Sequence, residues 1–435
     1  MKRILAIATA ALLTMVAVAG CSSSDDASKP VKLVMWWWGD QEAPGAKDWL
    51  DATVKAYEDA NPNVTIETVL QTTDGLIPAF QAAAAAKSGP DLQYFWGGIY
   101  SQQPGWDGAI TPISDLIPAE ELSHYINADV ELSYQGKVWT APWYVNPSFP
   151  LLVRNDILSK YNLETPVTWD DFLNTCDVLS AKGVTTIAGG VKDGWFGGWL
   201  YSILGAQSLN SQKDVIEAVI GNQKFTDAKH ADWWTRLQES KDHNCWNDDI
   251  NSLELYQAQQ RWVDGKAAMT VVAGPDAPNF VGKVGADKVT VMAMPKWADG
   301  PNAGKMGSTS QTIGVTSWSK NQAEAAKFIM FTHEAAQLQS WYDMTGAMPA
   351  DDRFDIAAVT DPVRKNLFTI TMNGAPYLEN FIPAQLDTDA VFTNVQLVLK
   401  GTITGPEAAA AMQATIEKLR KTDRALVDNF TNWGK

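Results

Sequence analysis

Residues 138–156 read VWTAPWYVNPSFPLLVRND, and this stretch constrains the fold more than any other part of the chain. Pro142, Pro147 and Pro150 each lack a backbone N–H and bias the residue before them toward extended geometry, so no helix can run through it. What remains is extended backbone carrying Trp139, Trp143 and Tyr144, then an apolar run at 150–153, then the turn-prone pair Asn155 and Asp156. Such a segment suits a chain passing from one domain to another, and the passage is expected to act as a hinge. A length of 435 residues supports two domains, each with a full core.

Lys2 and Arg3, an apolar run at 4–20 and then Cys21 read as a secretory signal. Val18-Ala19-Gly20-Cys21 resembles a bacterial lipobox, which implies that Cys21 is lipidated and that polar residues 22–30 tether a folded body to the outer face of the cell membrane. An ordinary cleaved signal, with Cys21 incidental, is the alternative. No later stretch approaches the roughly 18 apolar residues that a membrane span requires. The formal charge is −16, and −18 once Lys2 and Arg3 are removed. Such acidity argues against nucleic acid as a partner. In an oxidising compartment Cys176 and Cys245 are expected to form a disulfide, worth about 4 kcal/mol less any strain, although two buried thiols would also fit.

Strand 31–38, a helix burying Leu50, Val54 and Tyr57, strand 64–70, an alanine-rich helix over 76–87 and strand 91–96 follow in close order. That alternation predicts an α/β fold with a parallel, helix-covered sheet. Ligands of such sheets bind beyond the carboxyl ends of the strands, which gathers 36–41, 71–74 and 96–100 around one mouth. Past the hinge, Thr168 caps a helix with Trp169, Phe172, Leu173, Cys176 and Leu179 on its buried face. Strand 184–188 leads to GGVKDGWFGGW, whose glycines let the backbone approach a neighbour while Trp195 and Trp199 project. Strands 270–273 and 288–294, a glycine-rich loop at 300–307, helices over 322–341 and one long helix after Pro406 complete the pattern.

Catalytic signatures are absent. There is no phosphate loop and no Cys-x-x-Cys, and His333-Glu334 lacks the second histidine of a zinc-protease helix, so no metal or other cofactor is expected. Asp170 and Asp171 fit the first turn of a helix, while Asp248-Asp249 leaves room for one ligand contact.

Several short segments together resemble the extracytoplasmic solute-binding proteins of carbohydrate ABC transporters, the family of the maltose-binding protein. They are the lipobox, GPDL at 89–92, PLLVRND at 150–156, TWDDF at 168–172, GKAAM at 265–269 and TGAMPA at 345–350. The resemblance implies two α/β lobes of the type II arrangement, joined by crossings near 143–146, 312–317 and 371–375. Lobe one would hold 31–143 and 317–371, and lobe two 144–316 and 372–435. It further implies a monomer that closes on a sugar and presents it to the membrane permease, with no bond broken. Asp40 and Gln41 match polar sugar contacts, Trp96 an aromatic platform, and Asp193 with Trp195 an acid and aromatic pair. Asp276 departs from the family, which often has tryptophan there, and this argues against a maltodextrin preference. Trp38 and Gln71 at the mouth, with Trp143, Asn146, Gln311 and Tyr377 at or beside the crossings, complete the candidate ligand set. Rival readings are a receptor for a cationic solute, since aromatics with aspartates also fit an ammonium, and a secreted carbohydrate-active enzyme.

Overall fold

The structure, a computed structural model, describes residues 29–128, 132–372 and 374–433; Cys21 and the expected signal lie outside them. The chain lays down β1 (Val31–Trp37), β2 (Val64–Leu70), β3 (Leu92–Trp96) and β4 (Ala141–Ser148). It continues through β5 (Leu151–Arg154), β6 (Thr185–Ala188), β7 (Ala267–Val271) and β8 (Val289–Met292), and returns with β9 (Gly307–Thr316). The larger sheet runs Met348–Pro349, β4, β9, β3, β1, β2, and the smaller runs β8, β5, β7, β6. Each sheet anchors one lobe of a mixed α/β fold, as expected. β1 is parallel to both β2 and β3, because helices α1 (Ala46–Ala60) and α2 (Thr73–Ala86) carry the crossovers.

Local signals explain the helix boundaries. α1 buries Trp49, Leu50, Val54 and Tyr57 at helical spacing, which seats it against the sheet. α2 starts at Thr73, earlier than the periodicity predicts, because the Thr72 side chain accepts from the Gly75 N–H and caps it. In helix Trp169–Ser180, Thr168 and Asp171 form a reciprocal capping box, so the acidic pair there serves the helix end. That helix turns Cys176 inward; the Cys176 and Cys245 sulfurs lie 2.13 Å apart, with Cα atoms at 4.8 Å. The single C-terminal helix expected after Pro406 is two helices, Gly405–Thr422 and Leu426–Asn432. Asp423 separates them by accepting from the N–H groups of Ala425 and Leu426.

The crossings converge. β4 stays in the large sheet to Ser148, and Phe149 and Pro150 carry the chain to the second lobe. β9 joins the large sheet at Gly307, and the third pass, Ala375–Pro376, pairs parallel to Gly307 and Ser308. Gly307 thus has Ser148 on one side and Ala375 on the other. The first two passes differ from the expected positions, since sheet pairing assigns 144–148 and 307–316 to the first lobe. The reason lies in β9 itself: after the glycine-rich loop, Thr309, Thr312, Ile313, Val315 and Thr316 supply the β-branched run of a central strand, and all are buried.

Much of the tryptophan is interior. Trp37, Trp49, Trp143, Tyr144 and Trp341 interlock with centroid separations of 4.9–6.3 Å, so the Trp143 ring fills the first lobe's core. A separate contact joins the first lobe to the C-terminal segment: Trp106, at the end of α3 (Ile99–Trp106), meets Phe430 and Trp433 at 5.5 and 5.6 Å. Gly98 is a point of close approach, because its φ of 63° suits glycine and an added Cβ would lie 2.5 Å from the Asn380 carbonyl oxygen.

Candidate functional site

The ends of β1, β2 and β3 face the second lobe across a cleft whose floor is the hinge. From the loop after β1, Glu42 is buried and accepts from Asn146 Nδ2 of β4 at 3.2 Å. It feels the charges of Glu379 and Asp276, both beyond the hinge. Asp193, in the loop after β6, likewise feels Asp74 at the start of α2. Tyr256, from helix Leu255–Val263, acts on Tyr144 of the first lobe. At the floor, Tyr377 donates to Glu379, and Tyr100 of α3 donates to Asp387 at 3.2 Å.

Aromatic rings run along both walls. In the first lobe Trp38, Trp96 and Tyr100 follow one another at 5.4 and 5.7 Å. In the second, Tyr377, Phe149, Trp199, Trp195 and Tyr256 form a chain from hinge to rim at 5.3, 3.7, 5.1 and 5.6 Å. Trp96 and Trp195 are half-buried and Tyr256 is exposed, so each keeps some surface in contact with solvent. Beside Trp96, between α2 and α3, lies an apolar pocket of about 140 Å³ that includes Phe80 and Phe95 and meets Ala384 of the second lobe.

Burial makes the cleft carboxyls reluctant to ionise. Desolvation, then the charge of Glu379, pushes Glu42 up to about 7 against the opposing Asn146 hydrogen bond. Glu379 and Asp387 are both raised, chiefly by burial, and act on one another, so the pair favours holding a proton between them. Among the described residues no lysine or arginine forms an ion pair with Glu42, Glu379 or Asp387. Among the described residues no group of three His, Cys, Asp or Glu could hold a metal ion.

The sequence-predicted residues divide. Asp40, Gln41, Gln71, Trp96, Asp193, Trp195 and Asp276 retain exposed surface. Asp40 accepts from the Lys47 N–H, Gln41 accepts from Thr73, and Asp276 accepts from Asn279. Others are buried supports: Trp38 donates to Thr73, Gln311 accepts from Tyr94, Asn146 holds Glu42, and Tyr377 holds Glu379. Trp143 is core for the reason given above. The glycines of 189–198 approach protein: a Cβ on Gly189 would strike Trp246, and one on Gly198 would lie 2.3 Å from Glu379 Oε2. Asp249 is spoken for by Arg261, at 2.6 and 2.7 Å, which holds its carboxyl at about 2. Glu42, Tyr100, Tyr256, Glu379 and Asp387 were missed. Only Glu42 carried a signal, being the next residue after Asp40 and Gln41; Glu379 and Asp387 reach the cleft through the third crossing, which no local pattern marks.

The family model described as bacterial extracellular solute-binding protein matches residues 52–363. The chain belongs to that family. A multiple sugar-binding protein of Streptococcus mutans is 23% identical to this solute-binding protein over 372 residues, spanning 82% of this chain and 85% of the relative. An uncharacterized ABC transporter extracellular-binding protein of Pyrococcus horikoshii is 26% identical over 147 residues, 34% of either chain. Among solved structures, a chitin oligosaccharide binding protein superposes with a TM-score of 0.78 at 20% identity, covering 89% of this chain and 98% of that one.

The buried Glu42 predicts a pH dependence. Its carboxyl ionises at its ordinary value in the unfolded chain and near 7 in the fold, so the folded state is favoured below about 4.5 and loses that advantage as pH rises through 7. The loss amounts to roughly 3 kcal/mol at most. Glu379, Asp276 and Asp387 shift in the same direction, whereas Asp249 and Asp351, both lowered to about 2, are ionised throughout the range above pH 5. Ligand-free protein should therefore melt higher at pH 5 than at pH 8. Glu42→Gln, which keeps an acceptor for Asn146, should raise the pH 8 melting temperature and flatten the slope; a lower melting temperature at pH 8 would contradict the assignment.

Proposed function

We propose that this solute-binding protein is the extracytoplasmic receptor of a carbohydrate ABC importer, with an oligosaccharide as its ligand. The observation that carries the reading is the pairing, on both walls of one cleft, of an accessible ring with polar side chains: Trp96 with Asp40, Gln41 and Gln71 from one lobe, Trp195 and Tyr256 with Asp193 and Asp276 from the other. A pyranose presents C–H faces and a rim of hydroxyls. Rings stack on the faces, while carboxylates and amides bond adjacent hydroxyls. Closing the lobes about the hinge removes water and strengthens those bonds, and the closed form presents both lobes to the permease. The sugar-binding names of the Streptococcus mutans relative and of the chitin oligosaccharide structure support this reading. The chain acts by binding and cleaves nothing, so incubation with oligosaccharides should release no reducing sugar.

A thermal-shift screen over mono- and oligosaccharides tests the reading directly, since a ligand at 100 times its Kd stabilises by about 2.7 kcal/mol. Against the best ligand, Trp96→Ala and Trp195→Ala should each weaken binding by roughly 1–3 kcal/mol in calorimetry, while their ligand-free melting temperatures stay near the parent's. Loss of a core tryptophan would instead cost about 3–5 kcal/mol of stability. A variant that melts far below the parent, yet binds normally while folded, would remove that ring from the site.

We infer two covalent features of the exported protein. Cys176 and Cys245 are bridged, as their placement in the second lobe's core supports. Intact mass should differ by two hydrogens with and without reductant, and two freely alkylated thiols in unreduced protein would refute the bridge. Cys21 carries the lipid, and among the described residues no helix is long and apolar enough to cross a membrane. Cys21→Ser should accordingly move the protein from the detergent phase to the aqueous phase; retention in detergent would refute the anchor.

A further inference from the structure

We propose that the apolar pocket between α2 and α3 is a second ligand site, for a small neutral aromatic molecule that carries one hydroxyl or N–H donor. The inference goes beyond the sugar-binding reading and does not depend on it.

The pocket is a gap in the packing with one unsatisfied polar group on its wall. Its volume is about 140 Å³, and Phe80, Phe95, Ile99 and Ala109, all buried, form much of the lining. Protein interiors hold few voids larger than a water molecule, so a space of this size leaves those side chains short of contacts. Gln93 lines it as well. Residues alternate along β3: Leu92 and Tyr94 enter the main core of the first lobe, whereas Phe95 joins the small cluster of Phe80, Ala109 and Ile110, and this places Gln93 on the pocket side. The Gln93 side chain is fully buried, and its Nε2 donates to the Tyr94 carbonyl at 2.7 Å, which fixes the orientation of the amide. Its Oε1 is buried with no hydrogen-bond partner among the described residues.

The void and the unpaired oxygen together define what is missing. A buried acceptor without a donor carries its full desolvation cost. Water is a poor remedy, because it needs at least two polar partners, and the other polar side chains of the lining, among them Gln81, Gln103 and Asp107, are exposed at the mouth. An apolar cavity of about 150 Å³ holds one benzene ring. A ring of that size would pack against Phe80 and Phe95, which themselves meet edge to face at 4.9 Å, and one donor on it would pair with Oε1. The apolar interior rejects a charged group. A carboxylate is doubly disfavoured, since no lysine, arginine or histidine lines the pocket and Asp107 stands at its mouth.

The test uses phenol and toluene, which match in size and differ in the donor, titrated calorimetrically into the full-length chain and into two variants. Phenol should bind saturably at one site per chain. In Gln93→Leu the affinity for phenol relative to toluene should fall by roughly tenfold or more, because only phenol uses Oε1. Ala84, half-buried on α2, also lines the pocket; Ala84→Phe would put a ring into it and should abolish binding of both probes, and this variant decides the matter if Gln93→Leu folds poorly. Phenol that fails to saturate, or that binds both variants as it binds the parent, overturns the inference. Trp96 and Tyr100 belong to the pocket and to the cleft wall alike, so the titration is repeated with the best sugar of the screen above. Displacement of phenol by that sugar, with both variants behaving as the parent, would put phenol on the cleft rings and likewise overturn the inference. The sugar-binding reading stands or falls separately, on the saccharide screen.

Discussion

The three passages between the lobes are hydrogen-bonded to one another at Gly307, and the rest of the molecule is arranged around that constraint. Ser148 lies on one side of Gly307 and Ala375 on the other, so the hinge is a ribbon of paired backbone. A ribbon of this kind resists sliding and splaying but tolerates a change of twist, which restricts relative motion of the lobes to a rotation about one place. The residues at the strand ends inherit the geometry. Glu42, Asp74 and Trp96 stand at the carboxyl ends of strands that lead away from the ribbon in one lobe, and Asp193, Tyr256 and Asp276 stand on the other, so rotation brings them together without rebuilding either wall.

The price of this arrangement is charge. Solubility outside the cell is served by an acidic surface, but acids carried into the cleft lose water without gaining a counter-ion. Glu42 shows the balance most clearly, because the Asn146 amide offsets only part of what burial and Glu379 impose. The empty receptor is therefore less stable near neutral pH than its packing alone would permit. Stability withheld in the empty state is available to ligand binding, which is where a receptor can use it.

Those parts of the fold that depend on near neighbours were legible in the sequence. β1, α1, β2 and β3 follow from apolar periodicity and short links, and Thr168 with Asp171 announces a helix start by a rule that operates within four residues. Failures came where long-range pairing decides. β9 looks irregular in isolation because serine and threonine open it, yet β4 and β3 flank it and make it central. Trp143 and Trp195 are the same residue type in similarly proline- or glycine-rich surroundings; one is swallowed by five aromatic neighbours and the other is left half-open beside Tyr256. Which fate a ring meets depends on elements far away in the sequence. For the same reason Glu379 and Asp387 carried no signal: their burial is created by Gly198 and Tyr100, from different lobes.

The contact of Trp106 with Phe430 and Trp433 joins the first lobe to the C-terminal segment, and Trp433 in turn packs on Phe381, just past the third pass. Any rotation of one lobe on the other must shear this stack, changing the surroundings of two indoles whose emission responds to their environment. The molecule thus contains an optical gauge of its own movement, which could be read without an attached dye once the many buried tryptophans are accounted for as a constant background.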